Sequence, residues 1–470
     1  VFKIVANCFS PDTEVITIDG IKNIKDIRIG DFVYNQNPET NMLEIDEVID
    51  TQEFDYDDDM YKFKNIQNVD QLVTDHHRFR VYDRNGNKSW EHAEDIYVNH
   101  GYSVPKMDGI NIDFDDDDDI EICMYEYVKR CSGDYGFNYD LFIKSDKHLT
   151  TFKSTLSVDL RNKIDKYGKY NGNNKNYILP VKVVNERDIY ELNDKCSEFY
   201  VYRHFNGGGK ATKLPLFMNK SHLAKLVGWY VANGSLYIRR YDDDSIMFMR
   251  TEITKCDDSF KKKIIDICNL LKIQTSKCDN TVYIINDILF TYFEIECGKG
   301  SYNKCIPQWI LKTNTTNKTL FFDSYYECDG NKNIRRCNTV SQTLRNDLIL
   351  LLTSLGYYTK STQDKIVYQI VWFDKNIKLD GRIIKEKVKY KGKVHCVTTK
   401  KNKCVIAGRN KKFMLIGQSV YGYLGYRKSR LFNIILATTI TINCQFMIRY
   451  VAYNCREIIA EVQTKQLKSE

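Results

Sequence analysis

The chain has 470 residues, 43% hydrophobic and 13% aromatic, which is enough to bury several cores and excludes a disordered tail. A formal charge of +7 and a pI near 8.5 permit a nucleic-acid partner without demanding one. Fifteen cysteines with no CxxC spacing, and eight histidines without an HExxH, speak against a disulfide framework or zinc cluster and for a reducing, intracellular compartment.

In chain order, Cys8 to about Met107 reads as short β-strands, with apolar alternation in Thr13 to Ile18 and turns at Asp19-Gly20 and Gly30-Asp31. Between about Asp108 and Leu214 the pattern weakens, and the acidic run Asp115 to Asp119 reads as a solvated loop. Residues 221 to 375 turn helical, through Leu223, Leu226, Val227, Tyr230 and Val231 and again through Leu344, Leu348, Leu351, Leu352 and Leu355, with strand-like stretches such as Thr281 to Ile285 between. Strand alternation returns from about Glu386 to Gln418, so a β domain is interrupted by an α/β insert. Near the C-terminus the most apolar stretch, residues 434 to 452, contains Asn443, Gln445 and Arg449, so no membrane span is expected. No secretory signal is expected either. The wealth of Lys, Asn, Ile and Tyr is what AT-rich coding produces, as in a large DNA virus or a protist.

Three stretches carry chemistry. The first, Cys8-Phe9-Ser10-Pro11-Asp12-Thr13-Glu14-Val15 followed by Gly20, Ile27 and Gly30-Asp31, resembles the opening motif of inteins and related Hint domains. A cysteine there attacks the preceding carbonyl, that of Asn7, and turns the peptide into a thioester. The second, Val73-Thr74-Asp75-His76-His77, resembles the TxxH element of that family. By its spacing His77 would protonate the departing amide nitrogen and Thr74 would orient the scissile peptide. The third, Gly392 to Thr398 and then Phe413 to Gln418 before Ser419, is similar to an intein C-terminus. The resemblance implies that the Ser419 hydroxyl takes the acyl group from the thioester. The Gln418 side-chain amide then attacks its own carbonyl, and an acyl shift restores a peptide bond between Asn7 and Ser419.

Two departures matter. The usual His-Asn ending is replaced by Gly417-Gln418, so a six-membered glutarimide must close and the penultimate proton donor is missing; slower final cleavage is expected. His395 and Lys403 are candidate substitutes for that donor. Cys396 stands where relatives often have aspartate, and either tunes the acyl transfer or packs.

Removing residues 8 to 418 joins Lys3-Ile4-Val5-Ala6-Asn7 to Ser419-Val420-Tyr421-Gly422, giving KIVANSVYG. This resembles the KxxxNSxYG motif of family B DNA polymerases, which implies nucleotide-binding roles for Lys3, Asn7 and Tyr421 and Mg²⁺ as the cofactor of the joined polymerase. Splicing itself needs no cofactor.

Within the insert, Leu223 to Gly234 resembles one LAGLIDADG motif and Leu320 to Gly330 a weaker second, implying two pseudo-symmetric halves of a monomeric homing endonuclease acting on double-stranded DNA, the intein-free polymerase gene. In that family each motif helix ends in a carboxylate that holds Mg²⁺ beside the scissile phosphate. Asp329 fits that role. Asn233, without charge, is a poorer ligand for a hard cation and weighs against double-strand cleavage. Lys304 resembles the lysine-bearing element between the motifs and would stabilise developing phosphate charge.

The expected architecture is therefore multidomain: an all-β, horseshoe-like Hint splicing domain from residues 8–107 and 386–418, interrupted by an α/β LAGLIDADG endonuclease domain at 215–378. Residues 108–214 are a linker or a DNA-recognition region, and polymerase extein fragments lie at 1–7 and 419–470. The rival readings are a freestanding LAGLIDADG endonuclease or maturase, which has no use for Cys8, Thr74 and His77, and a splicing-defective DNA-binding module, to which Gly417-Gln418 and Asn233 would point.

Overall fold

The computed structural model describes residues 7–418 except 67, 99, 113–119, 146–148, 172–175, 204–211, 243, 245, 255–256 and 332–333. Lys3, Ser419, Tyr421, the acidic run at 115–119 and the apolar stretch at 434–452 thus lie outside the described residues. The chain is mostly β with helices and divides into two compact units. Of the described residues, the first takes 7–112, 349–362 and 370–418, and the second takes 120–348 and 363–369. Among the described residues no helix is long and apolar enough to cross a membrane.

The first unit is organised by one long antiparallel pair. Strand Leu43–Lys64 runs beside strand Ile384–Thr399 from Lys64 opposite Ile384 to Val48 opposite Thr399. Strict alternation gives the pair two faces. One carries Tyr56, Met60, Val394 and Cys396 into a buried cluster with Cys8. The other pairs acids with lysines: Asp59 with Lys387 and Lys389, Asp57 with Lys391, and both Asp55 and Glu53 with Lys393, at 2.9–3.1 Å. Exposed pairs like these add little stability in water, but a slip of one residue would turn every lysine into the core, so they specify register. In the same sheet, separated from this pair by two strands, strands Cys404–Arg409 and Lys412–Gly417 form a hairpin. Its two loop residues, Asn410 and Lys411, both have positive φ, as a tight hairpin turn requires.

In the second unit, residues 121–219 form a layer of short strands and helices. Five antiparallel strands, in the order Lys169–Asn171, Asn176–Pro180, Tyr139–Lys144, Glu198–Arg203 and Thr212–Leu214, bury Leu141, Ile143, Leu179 and Val201. Helices Val158–Tyr167 and Glu186–Lys195 belong to the same region, the second closed by a capping box between Asn185 and Asp188. The strands are short, and that explains why periodicity alone is weak here. A buried ion pair, Arg203 to Asp287 at 2.8 Å, joins this layer to the remainder of the unit.

That remainder centres on helices Lys220–Asn233 and Thr315–Asp329. Asn219 and Asn314 cap them by accepting from the N–H groups of His222 and Asn317. They cross at Gly228, where an added Cβ would stand 2.4 Å from the Phe321 carbonyl oxygen and 2.8 Å from Ser324 Cβ. Backbone cannot yield as a side-chain tip can, so Gly228→Val should destabilise this unit by roughly 2 kcal/mol or more, seen as a lower midpoint in denaturant unfolding. An unchanged midpoint would mean that the helices do not meet this closely.

Candidate functional site

Residues 8–10 run between two strands of the first unit. Phe9 exchanges backbone hydrogen bonds with His395, N to O at 2.8 Å and the reverse at 2.9 Å, and bridges to Val73 on its other side. Thr74 holds Cys8 at both ends: its Oγ1 accepts from the Cys8 N–H at 3.0 Å, and its own N–H donates to the Cys8 carbonyl at 3.1 Å. The first of these is the amide of the Asn7–Cys8 peptide, so Thr74 touches the bond that the sequence marks for cleavage.

His77 is fully buried, its ring edge-on to Phe9 with centroids 4.3 Å apart. Its backbone is fixed by Thr74 and Ala93, His77 N–H to Thr74 O at 3.1 Å and Ala93 N–H to His77 O at 2.8 Å. Burial pushes its pKa down to about 3, partly offset by the backbone of Gly417, Cys8 and Asn7 close by. Neither ring nitrogen finds a well-aligned hydrogen-bond partner. One neutral imidazole therefore lies beside both ends of the segment 8–418. Its neighbour His76 is half exposed and turns to Glu94 at 2.9 Å. With Asp75 these two place three ligand atoms within 4.8 Å of one another, a trio able to take a divalent cation.

The C-terminal side is held as firmly. Gln418 is fully buried; its Oε1 accepts from the Thr399 N–H at 2.7 Å, its Nε2 donates to Thr399 Oγ1 at 2.8 Å, and its backbone N–H reaches the Lys403 carbonyl at 3.0 Å. Buried Asp46 fixes the intervening turn by accepting from the N–H groups of Lys401 and Asn402. Lys403 thus contributes its carbonyl, while its side chain is exposed. His395 faces Glu53 at 3.9 Å, and strand alternation puts it on the opposite face from Cys396. Cys396 is disulfide-bonded to Cys8, with Cα atoms 4.7 Å apart. Thr399 and Asp46 carry no motif signature; the signal that would reveal them is the register of the long strand pair.

Gly417 has a local reason to be glycine. A Cβ there would lie 2.5 Å from the Arg78 carbonyl oxygen and 3.0 Å from the Trp90 ring. The space that a penultimate histidine would need is filled.

In the second unit, Asn233 and Asp329 end the two crossing helices, both half buried. Gly234 and Gly330 follow, each packed under the tyrosine four residues before it, Tyr230 and Tyr326. The repeated order of Asn cap, small crossing residue, tyrosine and glycine makes the helices counterparts of one another. Lys304 is buried rather than offered to solvent: Nζ donates to the Tyr230 carbonyl at 2.9 Å and lies over the Tyr230 ring, and burial lowers its pKa to about 7.

No protein-family model matches the chain. It is 25% identical over 272 residues to a DNA polymerase of Pyrococcus horikoshii, covering 56% of this chain and 20% of that polymerase. A DNA polymerase of Thermococcus kodakarensis is 26% identical over 219 residues, covering 43% and 12%. The chain thus spans a fifth or less of these curated relatives. In its motifs the chain resembles an intein with an endonuclease-type insert. Among solved structures, a DnaB intein from Synechocystis overlays with a TM-score of 0.19 at 19% identity, over 21% of this chain and 68% of that one. I-DmoI in complex with its nicked target DNA overlays with a TM-score of 0.26 at 20% identity, over 33% and 89%.

Two outcomes follow for this site. Because His77 titrates near 3 when folded and near 6.5 when unfolded, the unfolded chain binds its proton more tightly. Its contribution to stability is intact above pH 6.5 and is lost as pH falls toward 3, so Tm should drop across that window less steeply in His77→Gln than in the parent; equal slopes would contradict a buried neutral imidazole. Gly417→His should lower Tm and leave cleavage after residue 418 no faster, read by intact mass against time.

Proposed function

We propose that residues 8–418 excise themselves and join Asn7 to Ser419, with one imidazole, His77, serving both junctions. The observation that carries this reading is the closeness of His77 to the backbone of Asn7, Cys8 and Gly417 at once. With Cys8 as a free thiol, its proton passes to His77 as sulfur bonds to the Asn7 carbonyl carbon. The short-lived imidazolium, disfavoured by burial, returns the proton to the Cys8 nitrogen as the C–N bond breaks. Thr74 fixes that nitrogen throughout. The Ser419 hydroxyl then attacks the thioester carbonyl carbon, the C–S bond breaks, and the hydroxyl proton ends on the departing Cys8 sulfur, which is again a thiol. Gln418 Nε2 leaves Thr399 to attack its own carbonyl carbon, giving a glutarimide and freeing the Ser419 amine, onto which the acyl group shifts. The joined product restores KIVANSVYG, in which Lys3, Asn7 and Tyr421 would serve nucleotide binding in a family B polymerase. Intact mass of the full chain should reveal residues 1–7 joined to 419–470. Cys8→Ala should reduce that product by about a thousandfold or more while leaving cleavage after Gln418, and Gln418→Ala should stop release of the C-terminal segment.

For the insert we favour double-stranded DNA binding over cleavage. Asp329 and the Asn233 amide oxygen offer one charge between them at the paired helix ends, too little for Mg²⁺ beside a phosphate, and no hydrolytic step is derived from them. Lys304, held on Tyr230, assists only if DNA binding frees it. Plasmid carrying the uninterrupted polymerase site, incubated with Mg²⁺, should stay uncut by the parent and be cut, if at all, by Asn233→Asp; cutting by the parent would refute this preference.

A further inference from the structure

The sulfur that must begin splicing is already bonded. Cys8 pairs with Cys396, 388 residues further on. The pairing is enforced by the backbone. Phe9 and His395 exchange both hydrogen bonds, so Cys8 and Cys396 fall directly opposite each other at the next, non-hydrogen-bonded position of an antiparallel pair, where side chains stand closest. Their Cα separation of 4.7 Å lies within the range that a disulfide spans. Tyr56, Met60 and Val394 surround the bridge, with Phe54, Leu72 and Tyr390 at its margin. The rest of the site is assembled around it: Thr74 is on the scissile amide, and His77 is in place.

Resting on the splicing reading above, we propose that the Cys8–Cys396 disulfide is a covalent lock on the splicing nucleophile, so that the precursor is silent when oxidised and splices when reduced. Locking removes two protons and two electrons from the thiols, taken by a disulfide oxidant, which becomes two thiols. Unlocking is thiol–disulfide exchange with a dithiol reductant. Its thiolate attacks Sγ of Cys396, the sulfur whose residue keeps 3% of its surface accessible where Cys8 keeps none. The S–S bond breaks, Cys8 leaves as thiolate, and the second thiol of the reductant closes on the mixed disulfide, releasing Cys396 as a thiol. Cys8 can then attack Asn7. Cyclisation of Gln418 uses neither sulfur and stays open to the locked chain, which would shed its C-terminal segment without joining it.

The test uses the full 470-residue chain, oxidised with a disulfide oxidant, mapped by non-reducing peptide mass analysis and then incubated with or without dithiothreitol. The expected result is a Cys8–Cys396 peptide and more than about tenfold more joined 1–7/419–470 product with dithiothreitol, since only the reduced chain holds a thiolate. For Cys396→Ser the ratio with to without reductant should fall to near one, whatever its absolute rate. Equal joining by the oxidised and reduced parent overturns the lock and leaves the splicing reading standing. Failure of the reduced parent to join, with Cys8 and Cys396 mapped as free thiols, refutes the splicing reading instead and the lock with it.

Discussion

The register of strands Leu43–Lys64 and Ile384–Thr399 is the constraint from which the first unit takes its form. It aligns His395 with Phe9, hence Cys8 with Cys396 and with Thr74, and it carries Thr399 to Gln418. Residues at the two ends of a long sequence meet because one ladder of backbone hydrogen bonds sets both. The interruption between those strands is tolerable because loop closure depends only logarithmically on length, each doubling costing about 0.6 kcal/mol.

Burial then determines how the site works. A fully buried histidine at about 3 remains neutral at any ordinary pH, so it can relay a proton but cannot store one. Gln418, also fully buried, has both polar atoms of its amide satisfied by Thr399 alone. In the proposed reaction, excluding water would protect a thioester from hydrolysis, and the same exclusion would raise the cost of charge in the intermediates. The absence of a second histidine at 417 is a consequence of packing, since Trp90 and the Arg78 backbone take its place.

Cys8, Thr74, His77 and Gln418 stood out because they fall at motif spacings written along the chain, and the structure sets Thr74 on the Cys8 amide and His77 beside Cys8 and Gly417. What was not legible depends on pairing across strands. Nothing near Cys396 announces that it faces Cys8; nothing near Thr399 or Asp46 announces Gln418 or its turn. His76 and His77 differ only in the face on which each falls, one toward Glu94 and the other into the core. Lys304 read as a cation for phosphate because local sequence does not reveal that its stem is buried against Tyr230. The layered fold of 121–219 escaped periodicity because its strands are short and each buries only alternate residues.

The rows of lysines and acids on the long ribbon have a consequence beyond holding alignment. Each strand taken singly carries like charges at every second position, so two copies of the same strand from neighbouring molecules would repel one another on approach. The opposite strand offers matching charge. While several newly made chains crowd together, their halves are thereby biased toward partners of the complementary kind and away from stacking like on like into fibrils.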